Sequence, residues 1–589
     1  MSESRNDWNR RTVIRALSAA GVGSAVMARA LAAAVQEAGR ATPAMIRDAE
    51  WIAGLELTDD DRALMANGVN EALDSYVKLR AVELDNAVAP ALRYTPVLPD
   101  RAGREAAEAK RSERAHGRSR RNGRMRPAST TDLAYAGVAE LSELLRTRQV
   151  SSTELTRLCL DRLSEHDATL HCVITPTPEL ALAQAEAADR EIAAGRYRGP
   201  LHGIPWGAKD LIAVPGYATT WGAAPYREQV REETATVAAR LAEAGAVLVA
   251  KLSVGALAWG DVWFGGKTRN PWKPEQGSSG SSAGPAAATA SGLVSFAIGT
   301  ETWGSIVSPC TRCGVTGLRP TFGRVSRAGV MALSWSMDKI GPIARSVEDC
   351  ALVFDAIRGS DGRDGTVLDR PFAWPPERDP TSLRMGYVPS DFDDPAPVEE
   401  EDEEARAQRL RRAEWASYDR RSLSVLRDLG FELVPVEPPS KYPVDALSFI
   451  LNAEAAAAFD ELTRSGRDDL MVRQEEFAWP NVFRHSQFIP AVEYIRANRI
   501  RSLVLREMEA LMDTVDVLVT PTFAGDHLLL TNLTGHPSVV LPNGFRSGDG
   551  TPTSLTFTGG LFGESDLLAV ARAYQEATDF HLARPPLYA

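Results

Sequence analysis

Cysteine is scarce in this chain. Five occur in 589 residues, Cys159, Cys172, Cys310, Cys313 and Cys350, too few and too scattered for a disulfide framework. Cys310 and Cys313 form a lone C-x-x-C pair, which cannot supply the four ligands of a structural zinc site. They read as buried small residues, with a disulfide or redox role as the alternative. Histidine is also sparse, with eight residues and no ligand-spaced pair; His202, beside Gly203, reads as structural. Beyond the amino-terminal segment, no stretch approaches the ~18 apolar residues that a membrane helix needs. Positive charge is the minority, and a net charge of −12 weighs against general nucleic-acid affinity. What remains is 44% hydrophobic and 24% charged, the composition of a globular chain long enough to bury a large core.

Residues 1–34 read as an export signal. Asn9-Arg10-Arg11-Thr12-Val13-Ile14 sets a twin arginine before a small and apolar run from Ala16 to Ala34, with Ala30-Leu31-Ala32 as a small-x-small cleavage site. Arg29 interrupts the run, and an amphipathic helix that happens to contain Arg-Arg is the alternative. If the signal is used, the protein is expected to be periplasmic or otherwise extracytoplasmic, with no stable membrane insertion after signal removal; if not, it is cytoplasmic. Residues 35–100 form a helical extension by the periodicity of Trp51, Ile52, Leu55, Leu57, Leu64, Val69, Leu73, Val77 and Leu79. Residues 101–130 read as a linker. From Arg101 to Pro127 it holds nine arginines and Lys110, too polar to order itself and without interleaved aromatics for base stacking.

From 131 to 589 strands and helices alternate, which predicts an α/β sheet covered on both faces. Leu201 to Lys209 reads as a buried strand, Leu180 to Ala194 and Thr234 to Ala244 as helices, and Ala246 to Ala250 as an apolar strand. Ser151 or Ser152 is placed to cap a helix. Asp516 to Thr522 and Ser538 to Pro542 read as late strands returning to the sheet. The acid-rich stretch from about Asp391 to Arg412 reads as a solvated surface loop. Trp479, Phe483 and Phe488 are candidates for a pocket wall, with core packing the equal alternative.

The stretch from Gln276 to Pro320 carries the chemistry. Its serines lie between glycines, which permit unusual backbone angles and close approach to a ligand. Serine is a weak nucleophile until a base takes its proton. A lysine becomes such a base when burial disfavours its charged form, and Lys209 sits at the end of an apolar strand. Ser281, just after Gly280, is placed to relay a proton. The turn from Thr302 to Ser305 offers backbone amides for a developing oxyanion.

The ordered motifs GIP-x-x-x-KD, NPW-x-PE, a G-S-S segment, GTET-x-GSI and CGVTGLRPT closely resemble the amidase signature family of serine hydrolases. The resemblance spans about Leu133 to Ala577. It implies a large mixed, mostly parallel central sheet flanked by helices on both faces, and a Ser–cis-Ser–Lys triad. Register from Asn270-Pro271-Trp272 on one side and Gly299-Thr300 on the other places the family's serine pair on Ser281-Ser282, not Ser278-Ser279. The resemblance thus implies Ser305 as nucleophile, Ser281 as cis-serine relay and Lys209 as base, with the amides of Thr302, Trp303, Gly304 and Ser305 as oxyanion hole. It implies no cofactor and no metal, and as partners a small-molecule amide and, left open, a second copy of the chain in a homodimer. The expected activity is hydrolysis of non-peptide, linear amide carbon–nitrogen bonds.

Three positions depart from the family's usual pattern. Trp303 stands where many members have glycine, Val307 where they have arginine, and Glu301 where they usually have aspartate. Trp303 still supplies an amide, but its indole must lie near the acyl pocket or pack into the core. Loss of the arginine requires a different support network at the nucleophile turn. Two rival functions share the motifs: the glutamine-hydrolysing A-type subunit of a tRNA-dependent amidotransferase, which requires a cytoplasmic location, and a catalytically silent exported binding protein.

Overall fold

The computed structural model describes residues 40–84, 88, 90–92, 125–396 and 402–589. The export signal read at 1–34 and most of the arginine-rich linker lie outside these residues. The chain divides into two compact units: Met1–Arg93, Ser440–Asp469 and Arg473–Val504 form one, and Tyr94–Pro439, Leu470–Val472 and Leu505–Ala589 the other.

In the first unit the amino-terminal periodicity resolves into two helices, Pro43–Ala53 and Asp59–Arg80. Thr42 caps the first, which carries proline in its first turn and stops at Gly54 in the left-handed region. Thr58 and Asp61 close a reciprocal capping box on the second. Ile46, Met65 and Val69 form the buried seam with Ala41, while Trp51, Ile52 and Val77 face outward. Residues 440–504, placed by sequence with the rest of 131–589, group mostly with these helices. The reason lies in ion pairs Arg484–Asp61 at 2.6 Å and Arg80–Glu493 at 2.7 Å and an edge contact of Tyr76 on Phe449. Trp479 and Phe483 are core residues of this unit, with Phe483 stacked on both Trp479 and Phe459; Phe477 is exposed.

The second unit is built on an 11-stranded sheet. Its strands in chain order are β1 (Val173–Pro176), β2 (Pro205–Lys209), β3 (Val247–Leu252), β4 (Phe296–Glu301), β5 (Thr316–Arg319), β6 (Lys339–Ala344), β7 (Arg384–Tyr387), β8 (Glu432–Pro435), β9 (Val517–Pro521), β10 (Ser538–Phe545) and β11 (Pro552–Gly559). Across the sheet they run β1-β3-β2-β4-β6-β5-β10-β11-β9-β7-β8. The sheet is mixed. Parallel pairs form two patches, β3-β2-β4 and β9-β7-β8, and antiparallel pairs join them through the middle.

Side-chain alternation along the strands feeds two cores. Phe296 and Ile298 enter one, covered by the helices Val138–Arg146, Val347–Ile357 and Glu564–Thr578. Ala297 enters the other, covered by Ser152–Leu170, Pro178–Ala193, Ala283–Ala290 and Val307–Cys313. Helices thus cover both faces, and β2, β3, β4 and β6 are buried along their whole length. Ser151 is the residue that caps Ser152–Leu170, accepting from the Glu154 amide.

One expected loop is a helix. Glu403–Asp428 begins inside the acid-rich stretch, with Asp402 accepting from the Ala405 amide at 2.7 Å and Glu403 and Glu404 in the first turn. Acids that read as loop are favourable at the positive end of a helix dipole.

Directly after β2, Asp210 pairs with Lys251 of β3 at 2.6 Å, both side chains fully buried. Removing one partner leaves a buried charge. Lys251→Met is therefore expected to cost about 3–5 kcal/mol, and Asp210→Asn combined with Lys251→Met to recover much of it, read by urea denaturation of the two variants. Equal losses in both would count against the pair as the cause.

Candidate active site

The end of β2, the segment before the helix Ala283–Ala290 and the turn after β4 bring the expected residues together. Lys209 is the last residue of β2 and is fully buried. Its Nζ lies 2.8 Å from Ser281 Oγ, 3.0 Å from Ser282 Oγ, 2.8 Å from Thr300 Oγ1 and 3.2 Å from the Thr300 carbonyl. Ser281 and Ser282 immediately precede the helix Ala283–Ala290, and the Gly280–Ser281 peptide is cis. A Cβ at Gly280 would stand 1.8 Å from the Gly260 carbonyl oxygen, so only glycine fits. Ser305 follows β4 in the turn that leads into the helix Val307–Cys313. The Ser282 amide donates to the Ser305 carbonyl at 3.1 Å, which ties the serine pair to the turn that carries Ser305.

Burial drives the Lys209 amine well below the usual lysine range, against the opposing pull of Asp338 and Glu301. Moving an ammonium out of water disfavours its charged form, and four oxygens surround the group.

The turn itself is shaped by Gly304, whose φ of 85° is left-handed. The amides of Trp303, Gly304 and Ser305 donate to no acceptor among the described residues. The next two amides are engaged: Ile306 and Val307 donate to Glu301 Oε2 at 2.8 and 2.9 Å. Glu301 Oε1 accepts from Arg319 Nη1 at 2.8 Å and from Asn532 Nδ2 at 2.8 Å. Burial pushes the Glu301 carboxyl up, but Arg319, the Val307 amide and Asn532 outweigh it and hold it at about 2. Arg319 of β5 thereby gives the turn its cationic support, with Val307 packed in the core beside it. Trp303 is 43% exposed, so its indole is not part of the core.

A cavity of about 270 Å³ borders these residues. Thr300, which holds Lys209, and Thr302, which begins the turn, both line it, as does Ala258 from the short 3-10 helix that follows Gly255, whose amide donates to the Ser281 carbonyl at 3.4 Å. At its floor Asp338 accepts from Thr302 Oγ1 at 2.6 Å and from the amides of Leu333 and Ser334.

Other sequence candidates stand apart. His202 is buried, its Nδ1 accepting from the Arg198 amide at 3.1 Å and its Nε2 facing Glu191. Cys310 and Cys313 are free buried thiols, and burial pushes both upward. Several residues of the site are not singled out by sequence reasoning for these roles. Ser282 and Thr300 lie beside named residues in the motifs. Arg319 sits in the last quoted motif, CGVTGLRPT, with nothing in it to indicate that its partner is Glu301. Asn532 arrives from 231 residues away with no local signal.

The Amidase family model matches residues 154–530. The A-type subunit of the glutamyl-tRNA(Gln) amidotransferase of Moorella thermoacetica is 35% identical over 504 residues, covering 77% of this chain and 99% of that protein. Its counterpart of the same name from an Azoarcus species is 36% identical over 502 residues, 76% of this chain and 99% of that one. Among solved structures, native peptide amidase from Stenotrophomonas maltophilia superposes with a TM-score of 0.64 at 30% identity, over 77% of this chain and 99% of its own. With the mixed sheet, the helices on both faces and a family match across most of the chain, the protein belongs to the amidase signature family of amidohydrolases.

Proposed function

We propose that the protein hydrolyses linear, non-peptide carboxylic amides through an acyl-enzyme on Ser305, with Ser281 as proton relay and Lys209 as base. The observation that carries this reading is the fully buried Lys209 amine, 2.8 Å from Ser281 Oγ. Hydrogen counting supports the direction of transfer. Ser282 donates its own hydroxyl hydrogen to the Thr300 carbonyl at 3.1 Å, so it accepts from Nζ. A neutral amine has two hydrogens and one lone pair. With the two hydrogens on the Ser282 oxygen and a Thr300 oxygen, the lone pair is free to take the Ser281 hydroxyl proton.

In the proposed sequence Ser305 Oγ attacks the amide carbonyl carbon as its proton passes to Ser281 and the Ser281 proton to Lys209. The carbonyl π electrons move onto oxygen, where the amides of Thr302, Trp303, Gly304 and Ser305 stabilise the charge. The C–N bond then breaks and the departing nitrogen takes the proton back through the relay. Water repeats the attack on the ester, again giving its proton to the relay, and frees the acid and Ser305.

A second reading, a glutamine-hydrolysing amidotransferase component, is favoured by the sequence relatives of that name. It is tested by co-purification with a tRNA-charging partner complex. A silent binding protein is the third, disfavoured by an intact Lys209, Ser281 and Ser305. Export through the twin arginine is part of the proposal and rests on Arg10-Arg11 and the small-residue run behind them.

Ser305→Ala is expected to lower kcat by at least about 10⁴-fold, as for other nucleophiles that act as one unit with their base; amide turnover that survives the change sinks the assignment. For Lys209 the sign follows from its lowered range: kcat/KM rises with pH as the ammonium loses its proton and then levels off. A pH-independent acid limb, or one retained in Lys209→Met, contradicts the base role. Replacing both Arg10 and Arg11 with lysine is expected to abolish the extracytoplasmic fraction in cell fractionation, and unchanged distribution rules the signal out.

A further inference from the structure

A second cavity, of about 510 Å³, lies among the helix Glu403–Asp428, the end of β9, the start of β11 and the helix Val307–Cys313. Four hydroxyls line it, those of Thr311, Thr522, Thr553 and Ser554. Their hydrogens can be followed one by one. Thr553 donates to Asn543 Oδ1 at 2.7 Å. Thr311 donates to the Val307 carbonyl at 2.9 Å, so toward Ser554, 2.7 Å away, it accepts. Ser554 has then spent its hydrogen and accepts from Thr522 at 2.7 Å, which in turn accepts from Thr556 at 3.1 Å. A hydroxyl has one hydrogen, so all four are committed to protein atoms. What these groups still offer the cavity is lone pairs.

The charges on the wall lean the same way. Asp391, Asp393 and Asp419 line it against Arg412, which is exposed. Asp391 is held by His527 Nε2 at 2.6 Å. Asp419 is only 7% exposed; one of its oxygens accepts from Asn543 Nδ2 at 2.8 Å, and the other accepts from no donor among the described residues. Its sequence neighbour Arg420 is occupied by Asp394 at 2.9 Å and by the Phe392 carbonyl at 2.9 Å. Burial pushes the Asp419 carboxyl up to about 7, against the pull of Asn543 and Arg420, as expected of a buried charge short of partners. Phe523 lines the cavity while remaining 53% exposed. Trp415, also on the wall, already carries the Arg546 guanidinium 5.5 Å from its ring centre. Aromatic faces attract cations.

We propose that this cavity binds a primary ammonium group, whose N–H donors meet the unspent lone pairs and whose charge answers the open oxygen of Asp419. An anionic ligand would meet like charge there, and a neutral one would leave the buried carboxylate without a counter-charge. Two sources can bring such a group: a free amine, or an amide substrate that carries an amine at its far end. The binding site itself does not depend on the reading of Ser305 as nucleophile.

Calorimetric titration of the full-length protein with n-butylammonium chloride, sodium butanoate and 1-butanol tests it without reference to turnover. The ammonium is expected to bind at least about tenfold more tightly than the other two. Asp419→Asn keeps an oxygen for Asn543 but removes the charge, and is expected to weaken ammonium binding at least about tenfold, the range of a hydrogen bond to a charged group. Phe523→Ala, at an exposed position, is expected to weaken it about threefold. No binding of butylammonium, equal binding of butanol or butanoate, or undiminished ammonium binding in Asp419→Asn overturns the proposal; if that variant does not fold, undiminished binding in Phe523→Ala does so. Hydrolysis then separates the sources. A kcat/KM for 5-aminopentanamide at least about tenfold above pentanamide, lost in Asp419→Asn, assigns the ammonium to the substrate, and butylammonium binding without that preference assigns it to a free amine. Absence of all amide turnover strikes the Ser305 reading and leaves the ammonium site to stand or fall on the titration.

Discussion

The structure around the site depends on one unfavourable act: placing a lysine amine where water cannot reach it. Lys209 is fully buried at the end of β2, and burial shifts its amine toward the uncharged form. Every neighbour is then constrained to be an oxygen that can form a hydrogen bond with the amine. Ser281, Ser282 and Thr300 meet that condition, and they come from the two segments that flank β2 in space. An apolar neighbour in any of these places would leave a buried polar group unsatisfied, at a cost larger than the bond is worth when made.

A second buried charge does the opposite work. Glu301 is kept ionised because Arg319 and Asn532 face one oxygen and two consecutive backbone amides face the other. It stands at the end of β4 and reaches past Ser305 to the first turn of the following helix. The strand, the turn and the helix are thereby tied at one carboxylate. The amides between them, from Trp303 to Ser305, are left without partners of their own among the described residues. Burial thus shifts Lys209 toward its uncharged form while Arg319, the Val307 amide and Asn532 hold Glu301 down, opposite effects of environment within one site.

Much of this is legible in the amino-acid sequence because it is local. β2, β3 and the helices around them follow from apolar runs and capping residues, and register against Asn270 and Gly299 distinguishes Ser281 from the equally serine-rich pair before it. What escapes is what depends on distance. Nothing near Asn532 or Arg319 announces a partner 231 or 18 residues away. The division of 440–504 into a unit with the amino-terminal helices rests on ion pairs that no periodicity reveals. The run of glutamates before Glu403 misleads for a different reason: acids favour both solvated loops and helix beginnings, and only the cap at Asp402 distinguishes the two.

The separations within the site also order events in time. Lys209 reaches across 72 residues to Ser281 and across 91 to Thr300, the latter through parallel pairing of β2 with β4, the kind of contact whose loop-closure cost falls due before any reward. No fragment that ends short of β4 contains a working constellation. The site therefore forms only once β2 and β4 have paired across the long stretch of chain between them.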